Sequence, residues 1–417
     1  MAGSKFSTRR AARRPGHFFS SVNRHHFTTE INHQEFELFI NGDIKLSSAV
    51  MAHPKRVESA KKLRDSCPAL GLQLALDPDP DGPPATIRTA RLAWGLAATT
   101  ATHHLVLQDD TELCSGFAEA VTRAVAAAPN RPLAFFTSWQ SRTAQMVRLA
   151  ALVGKAWAPM VDRFVPPQAL VLPTALAEEF AERAERLDLS VTDGKAMTMF
   201  LRSRKAEALV SAPNLVEHTQ VPSLLGHDLI LGPRPSVLFA GDERPDLSEL
   251  GAVLGRTAVP HFDGVAGHAV VYSSASDDPA TATATPAHNA LGQAGMTGTD
   301  IVDTFLTDVR HVPASHPDAV GLGWPFVFQL WLTMFMLGTT AASVLSSSDP
   351  AVMDEALRRP LARKALGTFP SGLLCSFLPQ GKVPEMNDQL LPLCEVGLRS
   401  GFIATGRWPE LAQIAYR

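Results

Sequence analysis

Several kinds of chemistry are excluded by what this chain lacks. Its four cysteines, Cys67, Cys114, Cys375 and Cys394, lie far apart and form no CxxC pair. That disfavours a structural zinc site and suits reduced thiols in a cytoplasmic protein. Charged residues make up 19% of the sequence and the net charge is −3, so no broad nucleic-acid surface is expected. There is neither a GxSxG nucleophile elbow nor an HExxH pair, which argues against a classical hydrolase. Acidic residues are missing before Glu30, whereas Lys5, Arg9, Arg10, Arg13, Arg14 and Arg24 precede it. No apolar h-region of 7–15 residues follows this basic start, so residues 1–43 read as a flexible tail and lead-in rather than a signal peptide.

What is present is a good core and a regular alternation. Hydrophobic residues make up 45% of the chain, the composition of a globular protein, and 417 residues suffice for two or three domains. Ile44–Ala52 reads as a first strand, 55–67 as a helix and 72–77 as a second strand. Residues 78–85, rich in proline and aspartate, read as a turn-forming loop. A helix is expected over Thr86–Thr100, a strand over His104–Gln108, a helix over 116–129 and a strand over 132–139. Strand and helix in turn argue an α/β fold with a mostly parallel sheet flanked by helices.

Texture changes near residue 233, where "LGPRPS" (231–236) reads as a linker. Ser273–Ala287 reads as a low-complexity loop, and mostly helical patterns follow. The expected organisation is thus a domain over 44–232 and a mixed, mainly helical region over 233–417 of unknown role. Trp324–Leu345 is an uncharged run of 22 residues, long enough to cross a bilayer. Its Gln329, threonines and serine, its Pro325 in the first turn and the lack of flanking Lys/Arg clusters favour a buried helix over membrane contact.

The chemistry concentrates at the end of the third strand. In "HHLVLQDDTELC" (103–114) an apolar run stops on Asp109 and Asp110. Open α/β sheets place their ligands beyond such strand ends. Two acids there either cap the next helix or hold an oxygen-loving cation, Mn²⁺ or Mg²⁺. If the strand continues, the two side chains point in opposite directions, so only one is a direct ligand.

This stretch resembles the strand and DxD-type motif of nucleotide-sugar glycosyltransferases of the GT-A (Rossmann-like) fold. Other pieces resemble that family in the expected order: 47–56 its nucleotide-facing first strand, 88–97 the helix before the DxD strand, and 165–180 the acceptor-side strand and helix. Residues 187–201 resemble the segment that supplies an acid near the acceptor. "APNLVEHTQVPSLLGH" (212–227) resembles the closing segment of several such families, among them branching N-acetylglucosaminyltransferases. The resemblance spans about residues 44–232. Two departures stand out: Gln108 replaces the first acid of the motif, and Gln220 replaces a glycine of the closing segment.

The resemblance implies a metal-dependent transfer of a sugar from a nucleotide-diphosphate donor to an acceptor hydroxyl. Asp110 would hold the cation, with His218 as a further ligand and His227 as a weaker rival. Asp193 would be the general base of an inverting reaction, with Glu217 behind it. His53, Arg56, Asp77, Arg91, Gln108 and Asp109 would bind the donor, the arginines through its diphosphate. Each has a plainer reading as well. Asp193 can be a helix N-cap, Asp77 a turn-former before Pro78, Arg88 and Arg91 a solvated helix face, and Trp139 a core residue rather than a sugar platform. The acceptor, whether glycan, peptide, lipid or small metabolite, is open. A nucleotidyltransferase would use similar metal chemistry, but 50–59 lacks the glycine-rich loop that wraps a triphosphate. A catalytically inactive binding or scaffold protein is the other alternative, and Gln108 favours it.

Overall fold

A computed structural model describes residues 44–416 apart from 220, 225, 227–231, 246, 248–252, 265 and 274–280. The tail over 1–43, Gln220 and His227 therefore lie outside the described residues. Ile44–Arg417 forms one compact unit.

A seven-stranded sheet organises it, in the order β2-β1-β3-β7-β5-β8-β6. Its strands are β1 (Leu46–Ala52), β2 (Gln73–Leu76), β3 (His103–Gln108), β5 (Leu133–Ala134), β6 (Trp157–Pro159), β7 (Ala169–Pro173) and β8 (Leu209–Ser211). β1 pairs in parallel with both β2 and β3, while β7 runs antiparallel to β3 and to β5. β5 and β8 are parallel, and β6 closes the edge antiparallel to β8. The α/β, mostly parallel architecture is as the alternation suggests. β1 and β3 are apolar on both faces because helices cover both: Ala49, Val50, Leu105 and Leu107 are fully buried.

Helices α1 (Val57–Ser66), α2 (Thr86–Gly95), α3 (Phe117–Ala127), α4 (Arg142–Val153), α5 (Thr174–Ala184) and α6 (Asp193–Ser203) flank this sheet. α2 stops five residues before the expected end at Thr100. Beyond it the chain turns back to the sheet, and the Ala98 amide donates to Ser47 Oγ at 3.2 Å. The strand expected over 132–139 shrinks to Leu133–Ala134, because Phe135 O turns to accept the amides of Leu215 and Val216.

After residue 233 the structure is a three-stranded antiparallel sheet followed by helices. The sheet is β10 (Val259–Asp263), β11 (His268–Ser273) and β12 (Thr283–Pro286). β12 falls inside the stretch expected as a loop, whose residues 274–280 are outside the described part. The expected linker is tied down: Pro235 O and Pro233 O accept the backbone and indole N–H of Trp139 at 3.0 and 3.2 Å. Trp139 thus packs as a structural residue.

The uncharged run forms α7 (Trp324–Leu345), and 83% of its most apolar 18-residue window is buried. By length and composition it could also cross a membrane. It packs against α8 (Val383–Arg407) through glycines: a Cβ on Gly401 would collide with Phe335 O, and one on Gly338 with Leu398 O. Only hydrogen at these positions lets the backbones approach so closely. One apolar core runs from Ala49 and Met51 through α4 to Leu330 and Phe335 of α7. Arg148 on α4 is buried within it, donating to Ala365 O, Trp139 O and Thr368 Oγ1 at 2.8–3.1 Å, and burial pushes its pKa down to about 9.

Candidate active site

The carboxyl ends of β2, β1 and β3 lie level with one another. Pairing continues past the strands, since the Asp77 amide donates to Ala52 O and the Asp109 amide to Met51 O. Asp77, His53 and the Gln108–Asp110 corner therefore sit side by side on the floor of a cavity of about 850 Å³. Its walls come from the loop over 80–86, the loop over 162–168, the start of α6, His218 and, from the later region, Arg234 and His261.

Asp109 and Asp110 diverge from the strand end but share one cation. Arg56 Nη1 lies 3.3 Å from Asp109 Oδ1 and 3.0 Å from Asp110 Oδ2, and its other terminal nitrogen donates to Pro222 O. Asp109 Oδ2 also accepts the His53 amide at 3.0 Å. Burial, and next the charge of Asp110, hold the Asp109 carboxyl above its ordinary range. Burial pushes Asp110 the same way, but the hydrogen bond and charge of His218, with Arg56, outweigh it and lower its pKa.

His218 arrives by a separate device. A two-stranded ladder pairs β4 (Thr111–Leu113) with β9 (Val216–His218), setting His218 opposite Thr111. Its Nε2 then lies 3.4 Å from Asp110 Oδ2. The next residue, Thr219, donates to Asp110 O through both its amide and its hydroxyl.

Asp193 closes the cavity from α6. It is the first residue of that helix, with Thr192 in the capping position. The expected N-cap position thus moves back one residue, to Thr192, while the Asp193 carboxylate still accepts from the first-turn amides of Asp193 and Gly194. Asp193 Oδ2 accepts from Gln108 Nε2 at 3.2 Å, and its amide donates to Thr86 Oγ1 at 3.0 Å. Burial raises its pKa, partly countered by Thr86 and Gln108. A neutral amide at 108 makes this contact workable, because an acid there would face a second buried carboxylate.

Three expected residues are placed differently. Arg91 does not line the cavity; its guanidinium donates to Ala184 O and Leu187 O at the end of α5. Glu217 points away as well. Successive strand residues face opposite sides, and its carboxylate accepts from Ser236 N, Ser236 Oγ and His218 N at 2.6–2.8 Å. Asp77 lines the cavity, but Arg88 grips both its oxygens, at 2.6 and 2.9 Å, and holds its pKa low. Arg88, read as a solvated helix residue, is in fact buried. His53 Nδ1 accepts the Lys55 amide, which leaves the proton on Nε2, 3.3 Å from Pro80 O. Met51 reaches the cavity, whereas Ala49 stays in the core.

Sequence reasoning passed over Arg142, Asp162, Gln168 and His261, all on the cavity wall. The one available signal was Ser141 before an apolar-periodic run, a helix N-cap that places Arg142 in the first turn of α4.

Among the described residues no three His, Cys, Asp or Glu side chains form a ready-made metal ligand set. One feature still suits a cation: Asp110 Oδ1 is buried without a hydrogen-bond partner among the described residues. Mg²⁺ and Mn²⁺ commonly take one or two carboxylates and draw their other ligands from water and substrate phosphate. The residues fit a cation that arrives with a phosphate ligand, in competition with Arg56. No known protein family matches the chain, and no curated protein resembles it in sequence.

Proposed function

We propose that the protein is a metal-dependent glycosyltransferase of GT-A-like fold. It would move a sugar from a nucleotide-diphosphate donor to an acceptor hydroxyl, with Mn²⁺ or Mg²⁺ held by Asp110 and His218. The observation that carries this reading is the Gln108–Asp193 contact, which brings a buried acid within one side chain of the Asp109–Asp110 corner. An acceptor-activating base and a diphosphate-binding corner must adjoin in such a reaction, because the bond formed and the bond broken share one sugar carbon.

The roles follow from the environments. Arg56 and Lys55, on the cavity wall beside β1, suit the diphosphate, and His53 offers an N–H at the same end. The Asp77–Arg88 pair shapes the pocket for the nucleoside. Asp193, ionised, takes the proton of the acceptor hydroxyl; its burial makes it a stronger base than an exposed aspartate. Held by Asp110 and His218, a cation would supply Lewis-acid stabilisation of the negative charge on the departing diphosphate.

The direct test needs no acceptor, since transferases slowly hydrolyse their own donors. A panel of nucleoside-diphosphate sugars is incubated with and without Mn²⁺, and free nucleoside diphosphate is measured. Mn²⁺-dependent release from at least one donor is expected, and it should disappear in Asp110→Ala. Metal-independent release, or release that survives in that variant, would remove the metal from the reading.

A second reading is favoured by Arg56, whose guanidinium already neutralises both carboxylates. In it the cavity binds a nucleotide without turnover and the chain is a binding or scaffold protein. Calorimetry with nucleoside diphosphates separates the two: scaffold binding is indifferent to Mn²⁺ and accompanies no donor loss.

A further inference from the structure

The cavity floor continues from β3 to β7 and β5, away from the nucleotide end. Four of the polar atoms buried there have no hydrogen-bond partner among the described residues: Asp110 Oδ1, Gln168 Oε1, Ser138 Oγ and Arg142 Nη1. The first belongs to the cation corner. The other three lie on the far side, at the start of β7, just past β5 and in the first turn of α4. Leaving a buried polar atom without a partner is costly, so several of them on the lining of one cavity mark a surface shaped for a ligand.

Arg142 is the charged member and is only 9% exposed. It stacks on the Tyr272 ring, 4.4 Å from its centroid, which fixes the plane of the fork. Asp162 is its buried ion-pair partner, with Oδ1 3.8 Å from Arg142 Nε, too long for a hydrogen bond. Its carboxylate is engaged instead by the amides of Arg142 and Thr143 at the N-terminus of α4, at 2.9 and 3.2 Å. The cavity lining also carries Arg163, Lys195 and Arg234, together with Asp162 and the buried Asp193. Burial keeps His261, on the same wall, neutral at pH 7, with its pKa near about 4. Arg142 Nη1 itself has no acceptor among the described residues.

We infer that the acceptor is a hydroxylated molecule bearing an oxyanion, carboxylate or phosphate, which Arg142 binds while Gln168 and Ser138 take its hydroxyls. This rests on the transferase reading for the word acceptor, but the site itself is a binding site whatever reaction follows. A neutral sugar would leave Arg142 Nη1 without a charged partner, whereas an oxyanion supplies one.

The test is binding to the full-length protein by calorimetry, without donor. The probes are glucuronate, its neutral methyl ester, glucose 6-phosphate and glucose. Glucuronate or glucose 6-phosphate should bind, the tighter of the two showing which oxyanion the site takes. The matching neutral compound should bind at least about tenfold more weakly, the worth of a charge-assisted hydrogen bond. Arg142→Gln should abolish that difference while nucleoside-diphosphate affinity stays within about twofold. Equal binding of charged and neutral probes by the unaltered protein overturns the inference, and that comparison needs no variant to fold. So does failure of both anions to bind. Loss of nucleotide affinity in Arg142→Gln would assign Arg142 to the nucleotide end and overturn it too. Absence of nucleotide binding with intact anion binding instead sinks the transferase reading alone.

Discussion

Gln108 Nε2 and Asp193 Oδ2 meet at 3.2 Å, joining the end of β3 to the first residue of α6. The contact couples Gln108, in the stretch that resembles a DxD motif, to the residue proposed as the base. Replacing Asp193 by Asn preserves the shape and removes the base. Turnover with acceptor should fall about 10²–10⁴-fold, with donor affinity little changed in calorimetry. If donor affinity collapses instead, Asp193 is a nucleotide-binding or structural residue.

The same burial gives a pH signature. Asp193 has a raised pKa, so it is protonated at pH values where an exposed aspartate is already ionised. A base must be ionised to act, so the rate should fall as pH drops through this raised pKa. The acid limb of kcat should therefore lie above the ordinary aspartate value of about 4. Gln108→Leu removes a hydrogen bond that favours the ionised form, and the limb should move further up. A limb that stays put in Gln108→Leu would mean the pH profile reports another group.

Arg56 makes opposite predictions for metal and nucleotide. Its guanidinium is the counter-ion between Asp109 and Asp110, where a cation would also sit. Arg56→Met should strengthen binding of Mn²⁺ alone, because two carboxylates lose their resident positive charge. It should weaken nucleoside-diphosphate binding, because a phosphate donor is lost. Calorimetry reads both. Weaker Mn²⁺ binding in the variant would show that Arg56 organises the carboxylates rather than competing for them.

Much of this site was legible from the strand ends. The rule that ligands gather beyond the carboxyl ends of parallel strands located His53, Asp77 and Gln108–Asp110, because those positions depend only on where apolar runs stop. Long-range pairings were not legible. The Asp77–Arg88 clamp depends on how the proline-rich loop folds back, and the outward face of Glu217 on the β4–β9 register. Arg88 and Arg91, three residues apart on α2, carry the same guanidinium fork, and the sequence alone does not say which one meets the cavity. The path of the neighbouring chain decides between them: α5 ends beneath Arg91 and offers it carbonyls. Arg142 was invisible for the same reason, since it enters the cavity only through the packing of α4.

The Asp77–Arg88 pair carries a stability prediction with a definite sign. Arg88 lowers the folded-state pKa of Asp77 below its unfolded value, so the ionised form is favoured on folding. Its contribution is present above the unfolded pKa of about 4 and is lost as pH falls through the lower folded value. Asp77→Ala removes the guanidinium's two bonds to this carboxylate, leaving it Asp79 and Pro83 O, and should cost about 1–3 kcal/mol near pH 7, read by chemical denaturation. The difference from the unaltered protein should shrink at pH 3. A difference that grows on acidification would show that Asp77 acts through something other than this ion pair.

Gly401 offers a test of the helical region that leaves the cavity untouched. On α8 it abuts Phe335 O of α7 so closely that a methyl group has no room. Gly401→Ala would gain helix propensity, worth up to about 1 kcal/mol. Against this stands the separation of two long helices whose apolar faces are packed along their length, and overpacking typically costs about 1–3 kcal/mol or more. The backbone carbonyl opposite cannot rotate away as a side chain would, so the packing term should win and the unfolding midpoint should fall. Gly406→Ala on the same helix meets only the Ser348 side chain, which can move, and should cost less. Equal midpoints for the two variants would mean that the α7–α8 approach is looser than the glycine contacts indicate.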